Sequence, residues 1–112
     1  MLKTPLVRKS AVKSDWMIEH TLTNDQLNAL SLVRIQVSIA DILLARDPAS
    51  FDSYDLALIP STLEKLALYS ADLERVAASV VSDRVLALFS ELIDTAIDRS
   101  HQLERLSAAL RI

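Results

Sequence analysis

The absence of glycine is the feature that most constrains this 112-residue chain. Glycine is the residue that readily adopts a positive φ angle, and type I′ hairpins, phosphate-binding loops and glycine-ended helices all rely on it. Walker and Rossmann nucleotide-binding motifs are therefore excluded. The chain also has no cysteine, which excludes disulfides, thiolate zinc sites and cysteine nucleophiles.

The stretch LVRIQVSIADILLARD, residues 32–47, decides the fold class, because its middle alternates apolar and polar residues as a half-buried strand does. A capping box precedes it, since Thr23 and Gln26 are spaced so that each side chain reaches the backbone N–H of the other. Polar residues then recur every three or four positions, with Gln36 as the misfit: Asn24, Asn28, Ser31, Arg34, Ser38 and Asp41. We therefore predict a helix that is apolar on most of its circumference and ends at Asp47-Pro48. A strand is the alternative.

A second helix is predicted to follow a proline-bounded connection. Residues 48–60, PASFDSYDLALIP, have the composition of a loop, with at most one helical turn after Ser53. A second capping box at 61–64, STLE, then starts a helix. Its apolar side repeats at steps of three and four residues: Leu63, Leu66, Ser70, Leu73, Ala77 and Val80.

A third helix occupies the rest of the chain. It carries a longer apolar row, interrupted once by an arginine: Val85, Phe89, Leu92, Ala96, Arg99, Leu103, Leu106 and Leu110. Val80 and Val85 are five residues apart, so the two rows would lie on different sides of one continuous rod. We therefore predict a hairpin at 80–83, with a single long helix as the alternative.

Charge divides the chain into two predicted parts, a basic N-terminal arm at 1–22 and a helical bundle domain at 23–112. The arm carries four basic and two acidic side chains, a net charge of +2, whereas the domain carries eight basic and thirteen acidic, a net charge of −5. An acidic body disfavours nucleic-acid binding, which requires clustered Lys and Arg. Leu6-Val7 is too short an apolar stretch for a signal peptide, so we expect a cytoplasmic protein.

Half of the residues, 51%, are hydrophobic, which is a high share for so short a chain. No stretch reaches the roughly 18 uncharged apolar residues of a membrane-spanning helix, so we expect another protein chain to cover the surplus. The predicted fold is all-α: three long helices with a short N-terminal arm, in a bundle completed by homodimerisation. The predicted dimer interface consists of Leu32, Ile35, Ile39, Phe89, Leu92, Leu103 and Leu106.

Four residues of the third helix have the spacing of a metal site. Asp94, Asp98, His101 and Glu104 share one side of it, and di-iron bundles use carboxylates with a carboxylate-x-x-His pair. Such sites draw further ligands from the core-facing sides of other helices, and residues 24–44 and 63–80 offer no carboxylate there. We therefore expect a solvated charged row, with no metal and no cofactor.

The segment 100–103, SHQL, resembles the phospho-accepting helix of histidine phosphotransfer domains. Leu103 matches the leucine two residues after the histidine, but Glu104 and Arg105 stand where that family has lysine and glycine. His101 also lies close to the C-terminus, which leaves no bundle helices after it. The resemblance implies a signalling protein with His101 as phospho-acceptor, and this is the alternative function.

Aromatic residues point instead to recognition of a protein partner. Trp16, Phe51 and Tyr54 lie outside the predicted helices, and Met17 and Ile18 extend the first of them into a hydrophobic plug. The plug could also pack onto its own bundle or onto a dimer mate. No histidine lies beside a serine in a strained turn, and no glycine can shape an oxyanion hole.

We therefore expect a non-enzymatic protein-binding regulator of the kind represented by bacterial cytosolic anti-activators and secretion chaperones. It would act by occluding a partner surface with an apolar helical face. The predicted partner-binding residues are Trp16, Met17, Ile18, Phe51 and Tyr54. A structural subunit of a larger assembly is a further alternative.

Overall fold

The structure is a computed structural model that describes residues 22–112. Within that range it contains three long helices and no strand. Helix α1 spans Asn24–Ala45, α2 spans Ser53–Ala77 and α3 spans Asp83–Leu110, with a short 3-10 helix at Pro48–Ser50 between the first two. The predicted all-α class is confirmed, and the strand alternative for residues 32–47 is wrong.

Helix α1 starts and ends close to the positions that the local sequence predicts. Thr23 Oγ1 accepts a hydrogen bond from the Gln26 backbone N–H at 3.1 Å, and Gln26 Oε1 accepts one from the Thr23 N–H at 3.0 Å. The helix ends at Ala45, and Arg46 is extended. The predicted capping box is therefore confirmed, and the chain leaves the helix just before the proline that cannot continue it.

The start of α2 corrects the prediction for residues 48–60. Asp52 and Asp55 form a capping box: the Asp55 N–H donates to Asp52 Oδ1 at 2.9 Å, and the Asp52 N–H donates to Asp55 Oδ2 at 3.1 Å. The helix then runs through Pro60, which is exposed and so needs no space in the core. The interpretation of this stretch as a loop, with a cap at Ser61, is wrong because an acidic pair starts the helix earlier.

The predicted break between α2 and α3 is confirmed, and it lies at residues 78–82 where the prediction placed it at 80–83. Helix α2 ends at Ala77, and Ser82 caps α3 by accepting a hydrogen bond from the Val85 N–H at 3.4 Å. The continuous-helix alternative is therefore wrong. At the far end of α3, Arg111 adopts a left-handed φ of 60°, the conformation that glycine usually supplies after a helix.

The three helices pack pairwise around one apolar core. Helices α2 and α3 each contribute a row at steps of seven residues, and no side chain in either row is exposed to solvent. Those rows are Ile59, Leu66 and Leu73 on α2, and Phe89, Ala96 and Leu103 on α3. Leu30, Val33 and Leu43 of α1 fill the space between them. One side of α1 is therefore buried in the core.

Pro60 provides a test of the corrected helix boundary. Proline inside a helix removes one backbone hydrogen bond and is about 3 kcal/mol less favourable than alanine. Since Pro60 is exposed within α2, Pro60→Ala should raise the free energy of unfolding by about 1–3 kcal/mol, less than the full penalty because proline also restricts the unfolded chain. Urea denaturation followed by circular dichroism measures this change. No stabilisation would indicate that the helix does not continue through this position.

Candidate protein-binding face

One side of α1 is both apolar and open to solvent. Leu32, Ile35, Ile39 and Ile42 follow one another at steps of three, four and three residues, which places them on the same side of the helix. Ile35 is 53% exposed and Ile42 is 61% exposed, while Leu32 is partly exposed and Ile39 is half-buried. We call these four residues the α1 stripe. The stripe adjoins the buried side of α1, since Ile39 also packs against the core.

Two ion pairs show how α1 and α2 lie beside each other. Arg75 Nη2 lies 3.5 Å from Asp25 Oδ2, and Arg46 Nη1 lies 2.8 Å from Asp55 Oδ1. The two pairs are 21 residues apart on α1 and 20 residues apart on α2, with the order reversed. The helices are therefore antiparallel, and nearly equal numbers of residues separate the two pairs on each helix. Leu32 consequently lies at the same height along the helix axes as Leu68.

Helix α2 carries two further large apolar side chains that are exposed. Leu68 and Tyr54 lie seven and twenty-one residues before Arg75, so they share the side of α2 from which Arg75 reaches α1. Leu68 is 62% exposed and Tyr54 is 70% exposed. We call the α1 stripe together with these two residues the α1–α2 face. Large apolar side chains exposed on two neighbouring helices make this face a candidate interaction site, because extended apolar surface marks such sites on soluble proteins.

The Tyr54 end of this face is held by a charged cluster. The Arg46 guanidinium donates to Asp55 and lies 5.2 Å from the centre of the Phe51 ring. The hydrogen bond from Arg46, with further hydrogen bonding to Asp52, lowers the pKa of Asp55, and the same bond raises the pKa of Arg46. Both groups therefore stay charged near neutral pH, and the loop between α1 and α2 is tied to both helices.

The predicted partner-binding residues fall into three groups. Trp16, Met17 and Ile18 lie outside the described residues. Tyr54 is exposed on the α1–α2 face. Phe51 is half-buried and packs against the core, so much of its ring is already covered within the chain.

The predicted dimer-interface residues divide between the surface and the core. Leu32, Ile35 and Ile39 belong to the α1 stripe. Phe89 and Leu103 are fully buried within the single chain, and we reassign them to its core, because the row they form faces α1 and α2 rather than solvent. The remaining two, Leu92 and Leu106, are half-buried and pack against that core.

Sequence reasoning missed two residues of the α1–α2 face, Ile42 and Leu68. Ile42 continues the three- and four-residue spacing of the stripe and could have been found from that spacing alone. Leu68 could not be placed, because the alignment of α2 against α1 is a tertiary feature that brings together residues far apart in the sequence, such as Asp25 and Arg75.

The residues that the sequence suggested for a metal site or a phospho-accepting histidine lie on the exposed side of α3. His101 is exposed and lines a groove of about 300 Å³ between α2 and α3, beside Glu74 and Glu104. The Asp98 carboxylate accepts hydrogen bonds from Arg99 at 2.6 Å and Gln102 at 2.7 Å. Within residues 22–112, no group of three or more His, Asp or Glu side chains could hold a metal ion. Carboxylates beside His101 would also repel a phosphoryl group.

Of the helices at residues 22–112, α1 is long and apolar enough to cross a membrane by length and composition alone. The core helix of a soluble protein passes the same test. Here α1 carries Arg34 and Asp41 in its middle, and Asp41 Oδ1 accepts a hydrogen bond from Arg99 Nε on α3 at 2.5 Å. Gln26 and Gln36 are also buried on its inner side. These contacts are those of a bundle helix.

Comparison with known proteins does not assign a family. No family model matches the chain, and no curated protein or solved structure matches it at a significant level. The α1–α2 face is therefore interpreted from its own geometry.

The ion pair beside Tyr54 predicts a pH dependence of stability. Because the folded state lowers the pKa of Asp55 below its ordinary value of 3.8, this carboxylate stabilises the fold above that value, and the contribution is lost as the pH falls through the lower folded-state pKa. Asp55→Asn should therefore lower the free energy of unfolding at neutral pH and flatten its decline in acid. Urea titrations at several pH values measure both effects.

A matched variant for this experiment is Asp94→Asn, which removes an exposed carboxylate from α3. It should leave the acid profile close to that of the original protein. An equal change in both variants would show that the pH dependence is a general charge effect and does not arise at the Arg46–Asp55 pair.

Proposed function

We propose that this chain is a non-enzymatic protein-binding regulator, of the chaperone or anti-activator type, which forms a homodimer and acts by occluding a surface of a partner protein. The observation that supports this proposal is the α1–α2 face. It presents Ile35, Ile42, Leu68 and Tyr54 with more than half of each side chain exposed. Soluble chains rarely leave so many large apolar side chains open on adjoining helices unless another surface covers them.

The energetic scale of this face fits reversible binding. Full burial of a leucine or isoleucine side chain contributes roughly 1.5–3 kcal/mol relative to its exposed state. Micromolar association requires about 8 kcal/mol after the cost of lost motion. Covering the exposed parts of several such side chains therefore supplies a substantial share of that free energy, and the partner need not be held permanently.

The two parts of the α1–α2 face are assigned different roles according to where they lie. The α1 stripe is the longest apolar row and serves homodimerisation. Tyr54 lies at one end, beside the Arg46–Asp55 pair, where an aromatic ring, a cation and a carboxylate are close together. Tyrosine and arginine are enriched among the residues that dominate binding energy at protein interfaces. Trp16, Met17 and Ile18 remain predicted contacts to the partner.

Charged substitutions in the α1 stripe test the dimer. Ile35→Lys combined with Ile42→Lys should convert the dimer into a monomer, because two ammonium groups on each copy would have to be desolvated at the interface. Both positions are exposed in the single chain, so the helical content measured by circular dichroism should persist. Sedimentation equilibrium of the double variant gives the mass.

The matched control adds the same charge elsewhere, by Ala87→Lys with Ser90→Lys at exposed positions of α3. This control should remain dimeric. A mass above that of a dimer for the control would favour the structural-subunit alternative, whereas dissociation of both double variants would show that added charge alone, and not the stripe, is responsible.

Truncation of the aromatic residues tests partner recognition. Tyr54→Ala and Trp16→Ala should each reduce the amount of bound partner severalfold, since large aromatics dominate interface energetics, while the helical content is unchanged. Quantitative mass spectrometry of proteins retained by each variant, against the original chain and the Ala87→Lys variant, measures the loss. If both substitutions unfold the chain, these residues are structural and the assignment of a recognition role is incorrect.

A further inference from the structure

We infer that in the free chain the hydrophobic plug, Trp16-Met17-Ile18, docks into a cleft at the end of the bundle where α1 begins and α2 turns into α3. The plug lies outside the described residues, whereas the cleft is formed by them. The inference concerns the chain without a partner and therefore goes beyond the proposed function. Three observations carry it: the apolar lining of the cleft, its fixed walls, and its closeness to the plug along the chain.

The cleft has a volume of about 350 Å³ and a mainly aliphatic lining. Its aliphatic residues come from three parts of the chain: Leu22 before α1, Val80 and Val81 in the turn after α2, and Val85 in α3. Val81 is 98% exposed, the highest value among the described large hydrophobic residues, whereas Val85 is buried. Covering Val81 with another apolar side chain is therefore favourable.

The walls of the cleft are held in place by hydrogen bonds that join α1 to the end of α2. Gln26 Nε2 donates to Ser79 Oγ at 3.0 Å, and Ser79 Oγ donates to the Val76 carbonyl at 2.8 Å. Gln26 Oε1 also accepts a hydrogen bond from the Thr23 N–H. Within residues 22–112, no buried side-chain nitrogen or oxygen lacks a hydrogen-bond partner. The cleft is therefore preformed, and its chemistry favours an apolar occupant over a polar one.

The plug is tethered beside this cleft. Leu22, where the described residues begin, is itself part of the lining. Ile18 precedes Leu22 by four residues and Trp16 precedes it by six. Because an extended chain spans at most about 3.6 Å per residue, Ile18 lies within about 14 Å of Leu22 and Trp16 within about 22 Å. A short tether gives an effective concentration in the millimolar range, whereas a separate molecule must also offset the entropy lost on association.

The composition of residues 1–21 selects the plug as the occupant. The plug is the only run of three consecutive large apolar residues in that segment, and it contains the single tryptophan of the chain. Aromatic side chains bury the largest apolar areas in cores and interfaces. The arm also has a net charge of +2 and the domain a net charge of −5, so long-range attraction favours contact between them.

Docking in the cleft covers Trp16 and places it at the opposite end of the bundle from Tyr54, which lies in the first turn of α2. Helix α1 has 22 residues, and at a rise of about 1.5 Å per residue the two ends are about 33 Å apart. A partner that contacts the plug must first displace it from the cleft, which lowers the apparent affinity of that partner. The cleft is therefore a competitor of the partner within the chain.

The single tryptophan makes the fluorescence of the full chain a direct report on Trp16. Its emission should lie at shorter wavelength than in urea, and its quenching by acrylamide should be severalfold weaker. Val81→Asp places a carboxylate in the cleft, so it should move the emission to longer wavelength and increase the quenching severalfold. Because Val81 is almost fully exposed, the helical content measured by circular dichroism should not change.

The matched control is Ile112→Asp, since Ile112 is an aliphatic residue that is 49% exposed and lies beyond the end of α3, away from the cleft. The control should keep the emission and quenching of the original chain. An equal change in both variants would show that added charge, and not the cleft, is responsible, and would overturn the inference.

A contact measurement separates docking within the chain from docking between copies. The chain has no cysteine, so Val81→Cys can carry one nitroxide spin label, which quenches tryptophan fluorescence at contact. This label should quench Trp16 severalfold more than the same label at Ser90→Cys, an exposed position of α3. A labelled Val81→Cys chain that also carries Trp16→Phe, mixed with the unlabelled original chain, should give no quenching.

The outcomes of the contact measurement decide the inference. Equal quenching by the labels at positions 81 and 90 would overturn it, because the plug would not lie in the cleft. Quenching in the mixed sample would also overturn it, since the plug of one copy would then occupy the cleft of another. Neither measurement uses the mass of the protein or the retention of a partner, so a failure here leaves the proposed homodimer and binding role to their own tests.

Discussion

The structure depends on the position of α1, a helix that is apolar on more of its circumference than two neighbours can cover. Its inner side packs against α2 and α3, where Leu30, Val33 and Leu43 fill the core. Its outer side keeps four large aliphatic side chains in a row. Within residues 22–112 no further helix covers that side, and this mismatch between apolar surface and available neighbours is the physical basis of the proposed association.

The ends of the helices show how a chain without glycine builds its turns. Side-chain caps define the starts of the helices: Thr23, Asp47, Asp52 and Ser82 each accept a backbone hydrogen bond there, a role that does not require glycine. Only Arg111, among the described residues, adopts a positive φ. The connections are short, and ion pairs link α1 and α2 near both ends.

Local signals predicted much of this fold. The Thr23–Gln26 spacing and the residue before Pro48 fixed both ends of α1, and the five-residue step between two apolar rows located the break before α3. The start of α2 was missed because the prediction placed a helix boundary at Pro60. It overlooked that Asp52 and Asp55 can form a capping box eight residues earlier. Proline is disfavoured inside a helix but is tolerated at an exposed position when packing on the opposite side supplies the stability.

The candidate face was harder to predict than the helices. The apolar residues of α1 were evident in the sequence, but which of them face the core depends on where α2 and α3 lie, and Gln36 proved to be buried while Ile35 and Ile42 are exposed. Phe89 and Leu103 have the same chemistry as the stripe residues and could be assigned to core or surface only after the helices were packed. Periodicity defines the sides of a helix, but tertiary contacts decide which side meets solvent.

The most direct test of this account is the solvent accessibility of the isoleucine methyl groups in solution, measured by NMR line broadening with a soluble paramagnetic agent. Ile59 is fully buried in the single chain, and Ile97 and Ile112 are 44% and 49% exposed, so the chain carries its own references. If a second copy covers the α1 stripe, Ile35 and Ile42 should be protected nearly as well as Ile59. Broadening of Ile35 and Ile42 equal to that of Ile97 and Ile112 would show that the stripe is open, and would contradict the account.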